Sequence, residues 1–248
     1  MPTPQTTLLL GFETHSTETI QAALAAGAQV NGLIDGKTPL TWLVEMYLRS
    51  PKFSDCVRCL VQAGAWCPDA GLLAVLLDDA ERLGGELRRN PSLIHHRVDL
   101  RSAFTPLWGA SLLHVDAEFG LVRAAAALLE AGAEVEAKAA LDDFGFNGHT
   151  PIFHTVCQRG NHGQPVLRLL LAQGAKADLR LAGITWGKSF EWETTIFDAT
   201  PMSYAQAGLL PQIGRDERDL YENIRLLAQA SGRVLPQDLN VPNKYLGA

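Results

Sequence analysis

Ser111-Leu112-Leu113-His114-Val115-Asp116-Ala117-Glu118-Phe119-Gly120 and, just after it, Leu128-Leu129-Glu130-Ala131-Gly132-Ala133 spell one structural unit. The hydroxyl residue that opens the first phrase can cap orphan N–H groups at a helix start, which stabilises by ~1 kcal/mol. Gly132 follows a second apolar run, where glycine takes the left-handed conformation that closes a helix, and Ala133 lets the next turn pack close. Between the phrases, Leu and Ala recur at helical spacing and give each helix one apolar face. The expected unit is two helices joined by a tight turn.

Both phrases recur along the chain. The closing phrase appears as Leu24-Ala-Ala-Gly27-Ala28, Leu60-Val-Gln-Ala-Gly64-Ala65 and Leu170-Leu-Ala-Gln-Gly174-Ala175. Gly27, Gly64, Gly132 and Gly174 are separated by 37, 68 and 42 residues. The middle interval is twice 34, so one unit inside it lacks a readable pair. The opening phrase appears as Thr38-Pro39-Leu40-Thr41, Thr150-Pro151-Ile152-Phe153 and Thr200-Pro201-Met202-Ser203. Proline at the first helical position loses no hydrogen bond and presets φ.

These phrases resemble the ankyrin repeat, a β-turn and two helices in about 33 residues with the signature T-P-L-H-x-A. The spacing of 21 residues from Ser111 to Gly132 matches that family. The resemblance implies an all-α ankyrin-repeat solenoid: about six stacked helix-turn-helix units in one domain over residues 1–248, with an inserted β-hairpin finger. The expected units are 5–35, 36–68, a degenerate 69–100, 101–140, 147–180 and 198–235. An insertion around Ser50-Pro51-Lys52 interrupts the second. Beyond Gly232, Pro236 and Pro242 predict extended chain. One repeat cannot bury its apolar face alone, whereas stacked neighbours can.

Two fingers are enlarged, Leu100–Ala110 and 181–197. The β-branched and aromatic residues on both sides of Trp186-Gly187-Lys188-Ser189 predict a hairpin. Trp186-Gly-Lys-x-Phe-Glu-Trp-Glu, with Thr200-Pro-x-Ser-Tyr-Ala, is similar to phrases in a group of bacterial ankyrin chains. That likeness implies lineage and says nothing of activity. On an ideal strand Trp186, Lys188, Phe190 and Trp192 share one side, either as a cap over the last repeats or as an aromatic anchor for a partner.

Composition narrows the rest. Hydrophobic residues at 47% and charged residues at 19% suit a folded chain. A net charge of −6 argues against a phosphate-neutralising nucleic-acid binder. Residues 1–10 carry neither a basic leader nor a spanning apolar run, so a cytoplasmic location is expected, without membrane insertion. Cys56, Cys59, Cys67 and Cys157 are expected as thiols. The Cys56-x-x-Cys59 pair sits in a helical pattern with no second pair at zinc spacing. Charge is uneven: seven acids stand against Arg123 and Lys138 from Asp116 to Asp143, and five arginines against Glu86 and Asp99 from Arg82 to Arg101.

Candidate chemistry is sparse. His114 holds the histidine position of the ankyrin signature, where the resemblance implies a hydrogen bond to the helix start and the neighbouring turn. Asp116 replaces the family's usual alanine and is costly there unless partnered. His149, His154, Cys157 and His162 cluster without a recognised metal spacing. Gly187-Lys188-Ser189 ends like a P-loop but lacks the upstream glycine and following helix, and no other catalytic motif appears. Glu191 and Glu193 suit an exposed strand edge.

The expectation is a non-catalytic protein-interaction module with no cofactor and no metal, whose partner is a protein. A groove about 20 Å wide is expected between the two fingers, at ~10 Å per packed layer, floored by first helices near Glu118 and Phe153. Trp108, Trp186, Lys188, Phe190 and Trp192 would flank it. The alternatives are a self-associating scaffold and a metal-dependent enzyme built on His149, His154 and His162.

Overall fold

The computed structural model describes residues 2–156, 158–207 and 217–235. Consecutive helices fall into pairs: α1 (Pro4–Thr14) with α2 (Thr17–Ala25), α3 (Pro39–Glu45) with α4 (Phe53–Gln62), and α5 (Ala70–Leu76) with α6 (Ala80–Arg89). Then come α7 (Leu112–Phe119) with α8 (Val122–Glu130), α9 (Ile152–Thr155) with α10 (Gln164–Ala172), and α11 (Pro201–Ala207) with α12 (Glu217–Ala230). First helices lie on first helices (α1 on α3, α5 on α7, α7 on α9, α9 on α11), and α2, α6, α8 and α10 likewise meet α4, α8, α10 and α12.

The Gly-Ala phrase works as a stop signal. Gly27, Gly64, Gly132 and Gly174 all have φ between 84° and 95°. In each copy the following alanine N–H returns 2.9 Å to the carbonyl five residues back, as in Ala133 to Leu128 and Ala175 to Leu170. Gly232-Arg233 repeats the geometry after α12, with Arg233 N–H 2.8 Å from Ala228 O. A second contact joins neighbouring turns. Asn31 Oδ1, four residues after Gly27, accepts from Trp66 N–H at 2.9 Å, and Glu136 Oε1, four after Gly132, accepts from Lys176 N–H at 2.9 Å.

Most expected caps are in place. Thr38 Oγ1 accepts from Thr41 N–H, Pro39 opens α3, and Thr200 exchanges bonds with Ser203 ahead of Pro201. Thr150 is an exception: its hydroxyl is buried without a partner, and Pro151 precedes a helix of one turn. The second helix α8 has no cap of its own. Asp78, from the preceding pair, accepts Ala124 N–H at 2.8 Å and fills that role from 46 residues away.

The expected all-α class does not hold: the chain is mixed α/β, and among the described residues two small antiparallel sheets stand beside the helices. The finger ahead of α7 is itself a hairpin, β1 (Arg97–Leu100) with β2 (Leu107–Ser111). Short length, the polar Arg97 and Asp99, and a register break between Val98 and Leu100 hid it from periodicity. Asp99 Oδ1 fills the break by accepting Gly109 N–H at 2.7 Å. The second hairpin joins β3 (Leu181–Trp186) to β4 (Thr194–Ala199). The Pro236–Ala248 tail and Cys157 lie outside the described residues.

The fingers are stitched together. Ala140 N–H reaches Trp108 O at 2.9 Å, Asn147 N–H reaches Gly183 O at 2.8 Å, and Gly187 N–H reaches Phe104 O at 2.9 Å. One apolar core runs beneath, from Leu8 and Phe12 through Phe53, Leu83, Leu128 and Leu170 to Leu227. Every residue of α7 and of α9 is buried.

Candidate functional site

The expected groove is filled. Arg101 sits over the Phe190 ring at 4.4 Å, Phe104 meets Trp186 at 5.9 Å, and Trp192 Nε1–H points to Ala103 O at 3.4 Å. The two hairpins therefore touch where a gap was expected. Glu118 is 2% exposed and Phe153 0%, so neither is presented to a partner. Arg49 and Ser102 close over Glu118 and Phe119 of α7, and Thr105 bonds Tyr204 of α11.

Beneath this cover, a polar chain crosses the fourth and fifth helix pairs. Arg49 Nε donates to Glu118 Oε1 at 2.9 Å, and Ser102 Oγ donates to the same oxygen at 3.3 Å. His154 Nδ1–H donates to Glu118 Oε2 at 2.8 Å. The Nε2 atoms of His154 and His149 are 3.1 Å apart. Pro106 O, 3.0 Å from His149 Nε2, can only accept, so that nitrogen carries the hydrogen and His154 Nε2 accepts. His114 takes Ser111 N–H on Nδ1 and donates from Nε2 to His149 O at 3.1 Å. This is the expected histidine role, now extended to the next unit.

Electrostatics follow burial. Burial alone would raise the Glu118 carboxyl, but Arg49 and the His154 hydrogen bond outweigh it and hold the group below its ordinary value. Burial, then the neighbouring His154, pushes His114 and His149 well below 6.5. Asp116 goes the other way: burial, reinforced by Asp78, raises it well above 3.8, and both its oxygens lack partners. The sequence missed Arg49, Ser102 and Pro106, because irregular loops bring them in. His162 leaves the cluster and bonds Phe119 O at 2.8 Å instead.

A metal reading finds no ligand set: among the described residues, no three His, Cys, Asp or Glu side chains converge to hold an ion. The chain is closed off from solvent, with every histidine in it at zero exposure. Cys56 and Cys59 are buried on α4, and burial pushes the Cys56 thiol up to about 12, far from a reactive thiolate. No described helix is long and apolar enough to cross a membrane.

The finger surface is different. Phe144, Phe197 and Leu141 are 78%, 68% and 65% exposed, and Trp108, whose carbonyl takes the N–H of Ala140 next to Leu141, is 37% exposed. The turn 141–147 carries the first and third of these; Leu141 bridges to Asn147, and Phe146 packs edge-on against Phe197 at 5.5 Å. Asp142 shapes the turn by accepting from Phe144 N–H and Phe146 N–H. The sequence signal is Asp142-Asp143-Phe144-Gly145-Phe146-Asn147-Gly148, two phenylalanines in a run of turn residues. Of the residues expected to bind, Trp108 and Trp192 are exposed. Trp186 and Phe190 are half-buried, and Lys188 is tied to Glu193 at 3.2 Å. The strand ends at Trp186, so the shared side expected for Trp186, Phe190 and Trp192 does not form; Phe190 stacks on Trp192 at 4.7 Å. No family model and no curated protein matches the chain.

Proposed function

We propose that this chain is a non-catalytic protein-interaction module that binds through its finger tips. The observation that carries the reading is the exposed apolar group Leu141, Phe144 and Phe197, with Trp108 alongside, on fingers held together by backbone hydrogen bonds. Large apolar side chains gathered in one exposed place mark interaction sites on soluble proteins, whereas single ones need no explanation. Aromatic anchors on a rigid frame also bind at low entropic cost. The resemblance of the Thr-Pro and Gly-Ala phrases to ankyrin repeats belongs to the same reading, since such chains present their turns to partners. The buried Glu118–His154–His149 chain serves this role as scaffold: it pins α7, α9 and the loop before β2 under the fingers.

The test compares protein capture by the wild type with capture by a Phe144→Ser/Phe197→Ser double variant, with melting followed alongside. The reading expects unchanged melting and loss of the wild-type partners. Undiminished capture of the same partners by the folded double variant would refute it.

A further inference from the structure

Hydrogen-bond directions in the second hairpin leave one strand edge open. In an antiparallel pair, residues directly opposite each other alternate between bonding across the ladder and pointing away from it. On β3, Gly183 O accepts from Asn147 N–H and Thr185 N–H donates to Asn147 Oδ1; just past the strand's end, Gly187 N–H donates to Phe104 O. Gly183 and Thr185 therefore point away from β4, and the outer edge of β3 is occupied by the neighbouring fingers. Their register partners on β4 are Phe197 opposite Gly183 and Thr195 opposite Thr185. Both must also point outward. Among the described residues no bond outside the hairpin's own ladder uses the backbone of either, and β4 has no strand on that side.

The surroundings of this edge specify what fits. Phe197 is largely exposed and leans on Phe146, which sits over the bare Cα of Gly183. An incoming strand would thus lay an apolar side chain beside Phe197. The ends are acidic. Asp198 stands at one end, exposed and paired with Arg180; the exposed Glu191 and Glu193 stand at the other, with Glu193 bonded to Lys188 and to Ser189 N–H. Arg180 is paired with Asp198 and Lys188 with Glu193, which leaves Asp142, Asp143 and Glu191 against Arg101 and an acidic balance. Opposite charge across an interface sets register and excludes wrong partners.

Resting on the finger-tip reading, we infer that the partner is an extended, basic segment of another protein, which adds as a strand to the β4 edge at Thr195 and Phe197. It carries lysine or arginine at its ends and a large apolar residue near its middle. The backbone bonds supply affinity and the alternate side chains specificity.

The probe is a fluorescein-labelled peptide, Lys-Lys-Val-Thr-Phe-Thr-Val-Lys-Lys, titrated with the full chain by anisotropy. Replacing its four lysines by glutamate should weaken binding by about tenfold or more, and so should Thr195→Pro in the chain, which removes one outward N–H. Melting of Thr195→Pro checks the hairpin. Because proline can itself disturb a strand, a peptide N-methylated at alternate amides repeats the test on the unaltered chain and should lose binding equally. Hydrogen exchange at Thr195 and Phe197 should slow when the lysine peptide is added.

Equal binding of the lysine peptide and its N-methylated form overturns the strand-edge proposal. If Phe144→Ser/Phe197→Ser still weakens that binding, the finger-tip reading survives the failure. No binding of the lysine peptide also overturns the proposal, as does a chain dimer that Thr195→Pro dissociates, which would assign the edge to a second copy.

Discussion

Asp116→Ala should stabilise the protein, an unusual expectation for a fully buried residue. Asp116 lies on α7 with both carboxylate oxygens buried and unpartnered. Leaving a buried polar group unsatisfied costs ~1–3 kcal/mol. Alanine removes that cost and gains ~0.5 kcal/mol of helix propensity. The lost volume, roughly 20 Å³, returns only about 0.5 kcal/mol as a cavity. Protonation adds to the effect. A carboxyl raised in the folded state contributes stability that is full below 3.8 and is lost as pH rises towards its folded value. The variant's advantage should therefore be ~1–3 kcal/mol at about pH 4 and larger at about pH 7, by up to ~1.4 kcal/mol per pH unit of the raised interval. At ~2–4 °C per kcal/mol for a chain of this size, melting should rise by roughly 2–12 °C at about pH 4 and by more at about pH 7. Scanning calorimetry of both proteins at the two pH values reads this directly. A destabilised variant would show that Asp116 has a partner, and a gain independent of pH would show that burial does not raise its carboxyl.

Two further outcomes concern the buried polar chain. Arg49→Met should cost ~3–5 kcal/mol by stranding the Glu118 charge, and Arg49→Met/Glu118→Met should recover most of that loss in urea unfolding; additive losses would mean that the two groups are not paired. Burial holds His15 (to about 4), His114, His149 and His162 below 6.5 in the folded chain. Their contribution is full above 6.5 and is lost as pH falls through the window below it, by up to ~1.4 kcal/mol per pH unit for each histidine. Stability that is flat between about pH 7 and about pH 5 would contradict neutral burial.

The helix pairs were legible because their punctuation is local. Gly132 and Gly174 stop a helix through their own φ, and Thr38 caps through its own hydroxyl, so the sequence contains the cause. What escaped depends on distant partners. Asp78 caps a helix 46 residues on, and Arg49 finds Glu118 across 69 residues; no periodicity encodes either. The first hairpin escaped because Arg97–Leu100 is four residues long and breaks register. The groove failed for a related reason. Repeat spacing fixes how far apart two fingers start, but Arg101, Phe104 and Trp186 decide whether they fold onto each other. Of the residues expected to bind, Trp108 and Trp192 were chosen by residue type and are exposed. Phe144 and Phe197 were missed because single aromatics in turns and edge strands carry no pattern.

The most direct measurement of the finger-tip claim is site-specific photo-crosslinking. A benzophenone amino acid is placed at Phe144, at Phe197 and, as a control, at the exposed Arg168 on α10. The account predicts the same crosslinked partner from positions 144 and 197 and none from 168. Crosslinks confined to 168, or equal yield at all three, would contradict it.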